Sequence, residues 1–426
     1  MTPTDNILDF AAAPHSLPDN VRADALRLLA DTLKVGAAGA ASPAAQALLP
    51  AVRGWGISDE ARSLSGELMP APSVAFFNGF AIHCLEWDAV HEGAVVHALS
   101  VVTAALMAAS DRMGGSDPDD FLHALVIGVD IASGLGIAAS GPMRFFRPAT
   151  AGIIGAALAV ARLERLSREQ FADVMGLAYS FAGGTMQAHV EASIALPLQI
   201  GRAAQAAVQT VDLVKAGMTG PHQVLEGPFG YSELVEPLDL ARYTGTLGQI
   251  WRISEVSIKP FPSGRASHGA LGALADLRDE GPLTIDMVES IELFAPPLIQ
   301  RLVGRPYQPD ASMSYQRLCM AFLAPLMLRD GYIDPRIGET IGSLAERVSV
   351  TLDGNPDGNA MAPQRLVVRL NNGASIERII DANLGSPTAP MSPKQSARKY
   401  GLCDILAGVC DRRIFVDPLS YATEPR

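Results

Sequence analysis

Three of the eight histidines, His83, His91 and His97, fall within a fifteen-residue window that also carries Glu86, Asp88 and Glu92. The surrounding stretch, 78–100 (NGFAIHCLEWDAVHEGAVVHALS), is otherwise largely apolar. Imidazole changes charge near neutral pH, and burial beside carboxylates moves its pKa in either direction. Such a group can take a proton from a weak carbon acid and return it, so this window is a natural seat for acid–base chemistry. Lys259 is a second candidate. It precedes Pro-Phe-Pro, whose fixed backbone helps aim the ammonium in one direction. His268 follows nine residues on, either as a second acid–base group or as a helix-capping histidine. Arg147, Arg265 and Tyr315 are groups that could hold an anion. Guanidinium clamps carboxylates bidentately and does not shuttle protons, so Arg147 would bind rather than catalyse. Asp88 and Glu86 are placed to orient His91 or His97, whereas His83 reads as a helix-packing residue.

The same window admits a rival reading as a zinc site built from His83, Glu86, His91 and His97. Their spacing matches no compact helical HExxH arrangement, and the expectation is a site with no metal and no cofactor. The loop 217–230 (GMTGPHQVLEGPFG) lacks the Gly-Lys-Ser/Thr ending of a phosphate loop and reads as a structural turn.

The elements that must position these groups are mostly helices. Apolar residues recur at helical spacing over 21–40, with Asp19 or Asn20 placed to cap after Pro18. The stretches 73–83, 98–109, 119–133, 151–161, 168–182 and 197–217 also read as helices, several of them apolar nearly all round, as in the middle of a bundle. After about residue 250 the texture changes. The stretches 251–259 and 288–294 alternate and read as strands; 347–352 and 365–370 could pair; and 374–380 follows the Asn-Gly hairpin signal at 371–373. Helices are expected at 267–279 and 314–328, and the tail 392–409 returns to helix, packing back on the first part. The expected fold class is therefore mainly α: a large all-helical domain over 1–255, a smaller α+β domain over 256–392, and a C-terminal segment, 393–426, that rejoins the helical domain.

Composition bounds the function. With 48% hydrophobic residues the chain can bury one large core or two ordinary ones. A formal net charge of -12 argues against nucleic acid, which needs a basic face. The apolar runs are too short or too glycine-rich for a membrane span. Cys84, Cys319, Cys403 and Cys410 show no ligand or disulfide spacing, so reduced thiols and a cytoplasmic location are expected.

Taken in order, the motifs resemble the MmgE/PrpD family, which includes 2-methylcitrate dehydratase, cis-aconitate decarboxylase and iminodisuccinate epimerase. The resemblance rests on Asp31-Thr32-Leu33, Asn78-Gly79 with His83, His97 after an acidic stretch, and the runs 148–152 (PATAG) and 201–204 (GRAA). It continues through 217–221 (GMTGP), 225–228 (LEGP), 259–262 (KPFP) and His268. It implies that the smaller domain is a lid, that the active site lies between the domains, that the protein is a homodimer, and that the chemistry is metal-free. It also places His97 in the cleft. Some family positions differ here: Glu86 to Val90 (EWDAV) replaces the usual Asp-Phe-Asp-Asp-Thr, Arg147 a common histidine, Leu196 a usual lysine, and Gly264 a frequent cysteine.

The function expected is a lyase acting on a small di- or tricarboxylate by proton abstraction next to a carboxylate, with dehydration or decarboxylation. His97, Lys259 and His268 are its expected catalytic groups; Arg147, His91, Asp88, Arg265 and Tyr315 are its expected substrate-binding groups. Two alternatives stand beside it: an isomerase of the iminodisuccinate-epimerase type, and a catalytically degenerate binding subunit.

Overall fold

Small residues set the distances between helices. In the computed structural model, which describes residues 2–281, 283–336 and 342–425, helices Ala71–His83 and Ala195–Lys215 meet backbone to backbone. A Cβ added at Gly201 would lie 2.5 Å from the Phe76 carbonyl oxygen. One added at Gly155 would lie 2.3 Å from the Gly128 carbonyl oxygen, where Arg147–Leu163 crosses Pro118–Ala138. A methyl group at either crossing would push two long helices apart, and a close-packed interior does not absorb such a shift cheaply.

Around these crossings the chain is mainly α. Asp19–Ala40, Ala71–His83, Ala98–Arg112, Pro118–Ala138, Arg147–Leu163, Arg168–Ser180 and Ala195–Lys215 pack on one another and bury most of their surface. Most begin a few residues before the start predicted from periodicity. The reason is proline: Pro72, Pro118 and Pro148 sit within the first turn, where the missing N–H costs nothing. Asp19 is likewise the first helical residue and makes no side-chain cap; its charge still complements the positive helix end. Among the described residues, the helices of ten residues or more that went unread in the sequence are Pro3–Ala12 and Pro43–Arg53. Pro118–Ala138 is long and apolar enough to cross a membrane by composition, and 89% of its most apolar window is buried inside the bundle.

The sheet-bearing part differs from expectation in two places. Strands Val348–Leu352 and Gln364–Leu370 do not pair with each other, because Val288–Ala295 lies between them, parallel to the first and antiparallel to the second. Val288–Ala295 buries Ile291, Leu293 and Ala295 on alternate positions and so takes the centre, while the half-exposed Val348–Leu352 takes the edge. Ser375–Ile380 completes the sheet through the expected hairpin. The stretch 251–259 is not a continuous strand. The buried Asp130 carboxylate accepts the Arg252 backbone N–H at 2.9 Å, and Arg252–Glu255 winds into a 3₁₀ turn. Only Val256–Ser257 is extended, paired antiparallel with Val90–His91. The expected helix 314–328 is broken into Met313–Gln316 and Met320–Asp330.

The C-terminal helix Pro393–Ala407 packs on Asp19–Ala40. There Lys399 donates to Asp31 at 2.5 Å and to the Trp87 carbonyl at 3.3 Å, wholly buried. Trp87 lies between Glu86 and Asp88, so the tail is tied directly to the histidine window. The loop 217–230 is structural: Gly220 packs against Gly176, and Glu226 accepts the Thr4 backbone N–H at 2.8 Å.

Candidate active site

His83 ends one helix and His97 caps the start of the next, Ala98–Arg112. The connection between them folds back so that one carboxylate reaches both rings. His83 Nδ1 donates to both oxygens of Asp88 at 3.0 Å, and His97 Nδ1 donates to its Oδ2 at 2.9 Å. Ser100 also donates to Asp88. The imidazole centroids are 4.7 Å apart. Two residues of this connection hold left-handed backbone, Glu86 at φ 55° and Val95 at φ 53°. For a β-branched valine this is a true outlier, and each such residue costs on the order of 1–3 kcal/mol, which the surrounding packing must offset.

Lys259 arrives from the other end of the chain. The short pairing of Val90 with Ser257 and His91 with Val256 sets its position. Its ammonium is fully buried, donates to the Glu86 carbonyl at 3.1 Å and to Glu86 Oε2 at 3.2 Å, and lies 3.9 Å from Asp88. Trp87 and Tyr332 both donate to the Pro260 carbonyl, at 3.3 and 3.0 Å, which fixes the stiff turn after the lysine.

The two histidines are driven in opposite directions. Burial pushes His97 below the ordinary imidazole value, and Lys259 and His83 add to this against the pull of Asp88. Burial acts on His83 in the same sense, but Asp88 and Glu86 outweigh it and raise its pKa. Burial would raise Glu86, yet Lys259, His83 and His97 bring its carboxyl down to about 2. Asp88 is held well below the carboxylate range by the same two imidazoles, against the cost of burial. The wall therefore presents one imidazole shifted toward its neutral form beside one shifted toward its charged form, both anchored on an ionised carboxylate. With Nδ1 of His97 spent on Asp88, its Nε2 carries a free lone pair. Nε2 of His83 makes no hydrogen bond and lies 3.4 Å from Glu86 Oε1.

His83, Glu86, His97 and Lys259 line one cavity together with Glu92, Arg265 and His189. Its remaining surface is apolar, with Met143, Phe146, Met186, Leu196, Leu302 and Leu318 prominent. His189 comes from the short helix Gln187–Val190, and burial beside Arg305 takes its pKa down to about 4. A narrower branch behind Glu86 is lined by His83, Leu196, Leu318 and Arg317.

Of the groups predicted from sequence, His97 and Lys259 thus meet on one wall, and Arg265 lines the same cavity. Arg265 is already committed: its guanidinium holds Glu92 at 2.6 Å and donates to the Leu384 and Asn383 carbonyls. The other expectations are corrected. Asp88 is completely buried and binds imidazoles; an anion there would repel a substrate carboxylate. His91 accepts the Ala94 N–H on Nδ1 and donates from Nε2 to Glu255 at 2.9 Å, outside the cavity. Arg147 is buried against Glu236, with Nε 3.0 Å from both oxygens and Nη1 on the Ala94 carbonyl. His268 donates to Ser263 and accepts from Arg265, so neither ring nitrogen is free, and burial beside Arg265 and Lys259 keeps it neutral. Tyr315 donates to the Pro306 carbonyl at 2.6 Å and lies under the Arg305 guanidinium.

Sequence reasoning missed four contributors. His83, read as a packing residue, faces the cavity; its five-residue spacing to Asp88 was a usable signal. Ser100 lies in the same window, three residues after His97, and was passed over; His189 and Arg317 gave no signal, since each gains its place from segments distant in sequence.

Ligand atoms of His83, Asp88 and His97 lie within 4.8 Å of one another, the spacing of a possible metal site. Their chemistry fits a metal poorly. Both Nδ1 atoms already donate to the carboxylate that would be the third ligand, and the Lys259 ammonium sits 3.9 Å from it. The zinc set suggested by the sequence also fails, because His91 is turned to Glu255.

Comparison with known proteins matches residues 9–240 to the MmgE/PrpD N-terminal domain and residues 261–407 to the MmgE/PrpD C-terminal domain. Among curated proteins, cis-aconitate decarboxylase of Homo sapiens is 28% identical over 368 residues, covering 78% of this chain and 72% of its own. Cis-aconitate decarboxylase of Aspergillus terreus is 22% identical over 422 residues, covering 91% and 86%. The cis-aconitate decarboxylase-like protein oryM of Aspergillus oryzae is 23% identical over 403 residues, covering 86% and 83%.

Proposed function

The chain belongs to the MmgE/PrpD family, and on that premise we propose that it is a lyase that removes a proton next to a substrate carboxylate without metal or organic cofactor. The observation that carries the reading is the pair of imidazoles bonded to Asp88 in the wall of one cavity with Lys259, one lowered in pKa by burial and the other raised by Asp88 and Glu86. Paired groups whose surroundings drive their pKa values apart are how one site holds both a base and an acid at neutral pH. His97 Nε2 takes the proton. Negative charge then grows on the substrate carboxylate as the carbanion delocalises, and the Lys259 ammonium and the His83 imidazolium lie where they can stabilise it. His83 Nε2–H donates to the leaving hydroxyl in a dehydration; in a decarboxylation no proton is abstracted, the bond to the carboxylate breaks with its electron pair kept by the carbon skeleton, carbon dioxide departs, and His83 Nε2–H supplies the one proton that the carbon takes up. Asp88 fixes both rings through Nδ1 and acts as a positioning residue. The names of the relatives favour decarboxylation.

Epimerisation is a second reading, favoured by His189. It is another neutral imidazole in the same cavity, carried by a different helix from His97, as removal and return of one proton by two bases would need. Incubation in D₂O with citrate, 2-methylcitrate, cis-aconitate and iminodisuccinate, and with alkyl-substituted dicarboxylates such as 2-butylmalate, separates the two. Release of water or carbon dioxide from at least one of them is expected. Solvent deuterium at the α-carbon of an otherwise unchanged molecule would replace the lyase with the epimerase, and neither signal with any of these acids would count against both.

A further inference from the structure

The distribution of charge in the cavity narrows the substrate, given the acid–base reading above. Three carboxylates, Glu86, Asp88 and Glu92, are matched there by three cations, Lys259, Arg265 and protonated His83. Arg265 has no donor to spare. Arg147 is paired with Glu236 and bonded to the Ala94 carbonyl, and it does not line the cavity. One cation differs. Arg317, in the narrow branch behind Glu86, is 9% exposed and donates only to the Cys84 carbonyl at 3.0 Å and the Pro335 carbonyl at 2.7 Å. Among the described residues its Nε has no partner and no carboxylate is bonded to its guanidinium. Among the described residues, the cations left to receive an anion are therefore His83 and Lys259 in the cavity and Arg317 in the narrower branch. The rest of the lining is mostly apolar, with Met143, Phe146, Met186, Leu196 and Leu302 prominent, and His189 beside them is kept neutral by burial. A charge placed against that apolar lining would be buried unpaired, which costs far more than an apolar group in the same place gains.

We propose that the substrate is an acid whose carboxylates, at most two, are bound by His83, Lys259 and Arg317, and that it carries an apolar arm where a tricarboxylate would carry its third carboxylate. Leu196 marks the difference, since it lines both the main cavity and the branch of Arg317.

A matched pair of inert ligands isolates the arm. Tricarballylate is succinate bearing a carboxymethyl group, and 2-butylsuccinate is the same head bearing a butyl group. Calorimetric titration of the full-length protein is expected to show 2-butylsuccinate binding tighter by on the order of tenfold or more, the scale on which a pocket discriminates such groups. Leu196→Lys, which sets a cation in the apolar side, is expected to reverse the order. Arg317→Gln is expected to weaken both ligands alike, at a melting temperature that shows the variant is folded. Equal or tighter binding of tricarballylate by the unaltered protein, or no measurable binding of either ligand at millimolar concentration, would overturn the proposal. So would a Leu196→Lys variant that is folded and keeps the original order; if that variant does not fold, the unaltered protein alone decides. The acid–base reading fails separately. His97→Gln is expected to keep the binding order while losing turnover, and full turnover in that variant would remove the base without touching the substrate class.

Discussion

Two buried ion pairs lie on either side of the histidine window and behave as opposites. Arg147 and Glu236 have side chains 1% and 3% exposed, with three guanidinium nitrogens engaged and Tyr231 closing over the carboxylate. Lys259 and Glu86 are 0% and 13% exposed, and the acid is carried on left-handed backbone with one oxygen left 3.4 Å from an unbonded imidazole nitrogen. The first pair faces protein on all sides, its one nitrogen outside hydrogen-bonding geometry, Nη2, still held 2.9 Å from Glu236. The second is partly satisfied, carries local strain, and borders an empty volume. Burial and charge are common to both, so neither property marks a working site. What marks it is the spare hydrogen-bonding capacity left pointing at a cavity.

The comparison breaks most sharply under substitution. Lys259→Met and His97→Gln are each expected to lower turnover by about 10²- to 10⁴-fold, the usual contribution of a positioned acid or base. Arg147→Met is expected to leave turnover per folded molecule nearly unchanged while costing about 3–5 kcal/mol in denaturant melts, because Glu236 is then a buried charge without a partner. Adding Glu236→Gln should return much of that loss. If folded Arg147→Met protein were inactive, the first pair would belong to the site after all and the contrast would fail.

A finer test uses pH. His97 is lowered, so its basic form is present from somewhat below the ordinary imidazole pKa upward; His83 is raised, so its acidic form persists somewhat above it. Turnover should therefore form a plateau straddling that value, with limbs that belong to the coupled pair. Asp88→Asn removes the carboxylate that holds His83 charged, and the alkaline limb should move to lower pH. A profile unaltered by Asp88→Asn would mean that other groups titrate. Stability adds an independent signature. Glu86 sits at about 2 when folded, below its ordinary 4.5, so its contribution is complete above 4.5 and disappears as pH falls toward 2. Glu86→Gln should flatten acid unfolding across that window.

The helices of the first 250 residues were legible because apolar residues recur with the helical period, and the order of short motifs carried the family. His97 and Lys259 were legible for a local reason, an acidic apolar window and a lysine braced by prolines. The errors share another cause. Arg147 looked like a free cation because Glu236 lies 89 residues away in sequence. The alternation in 251–259 suggested a strand, yet a buried carboxylate from Pro118–Ala138 captured the backbone first. His189 and Arg317 carry no local pattern at all, and their roles exist only once separate segments have been brought together. Periodicity and turn chemistry are properties of a segment. Electrostatic partners are properties of the assembled chain, and a single sequence does not display them.

Tyr315 supplies the smallest and most discriminating of these tests. The sequence suggested a substrate contact, whereas the hydroxyl donates to the Pro306 carbonyl and the ring supports the Arg305 guanidinium at 4.8 Å. Tyr315→Phe keeps the ring, and so keeps the cation–π contact, but removes one partly exposed hydrogen bond. The expected cost is about 1 kcal/mol or less in thermal melts, with turnover unaltered. Substrate affinity should also hold, since the ring does not line the cavity. A loss of turnover in Tyr315→Phe without a matching loss of stability would show that the hydroxyl leaves Pro306 and enters the cavity during the reaction. The strand-bearing side would then supply a working group as well as a wall, and the division between a reactive face and an inert apolar one would have to be redrawn.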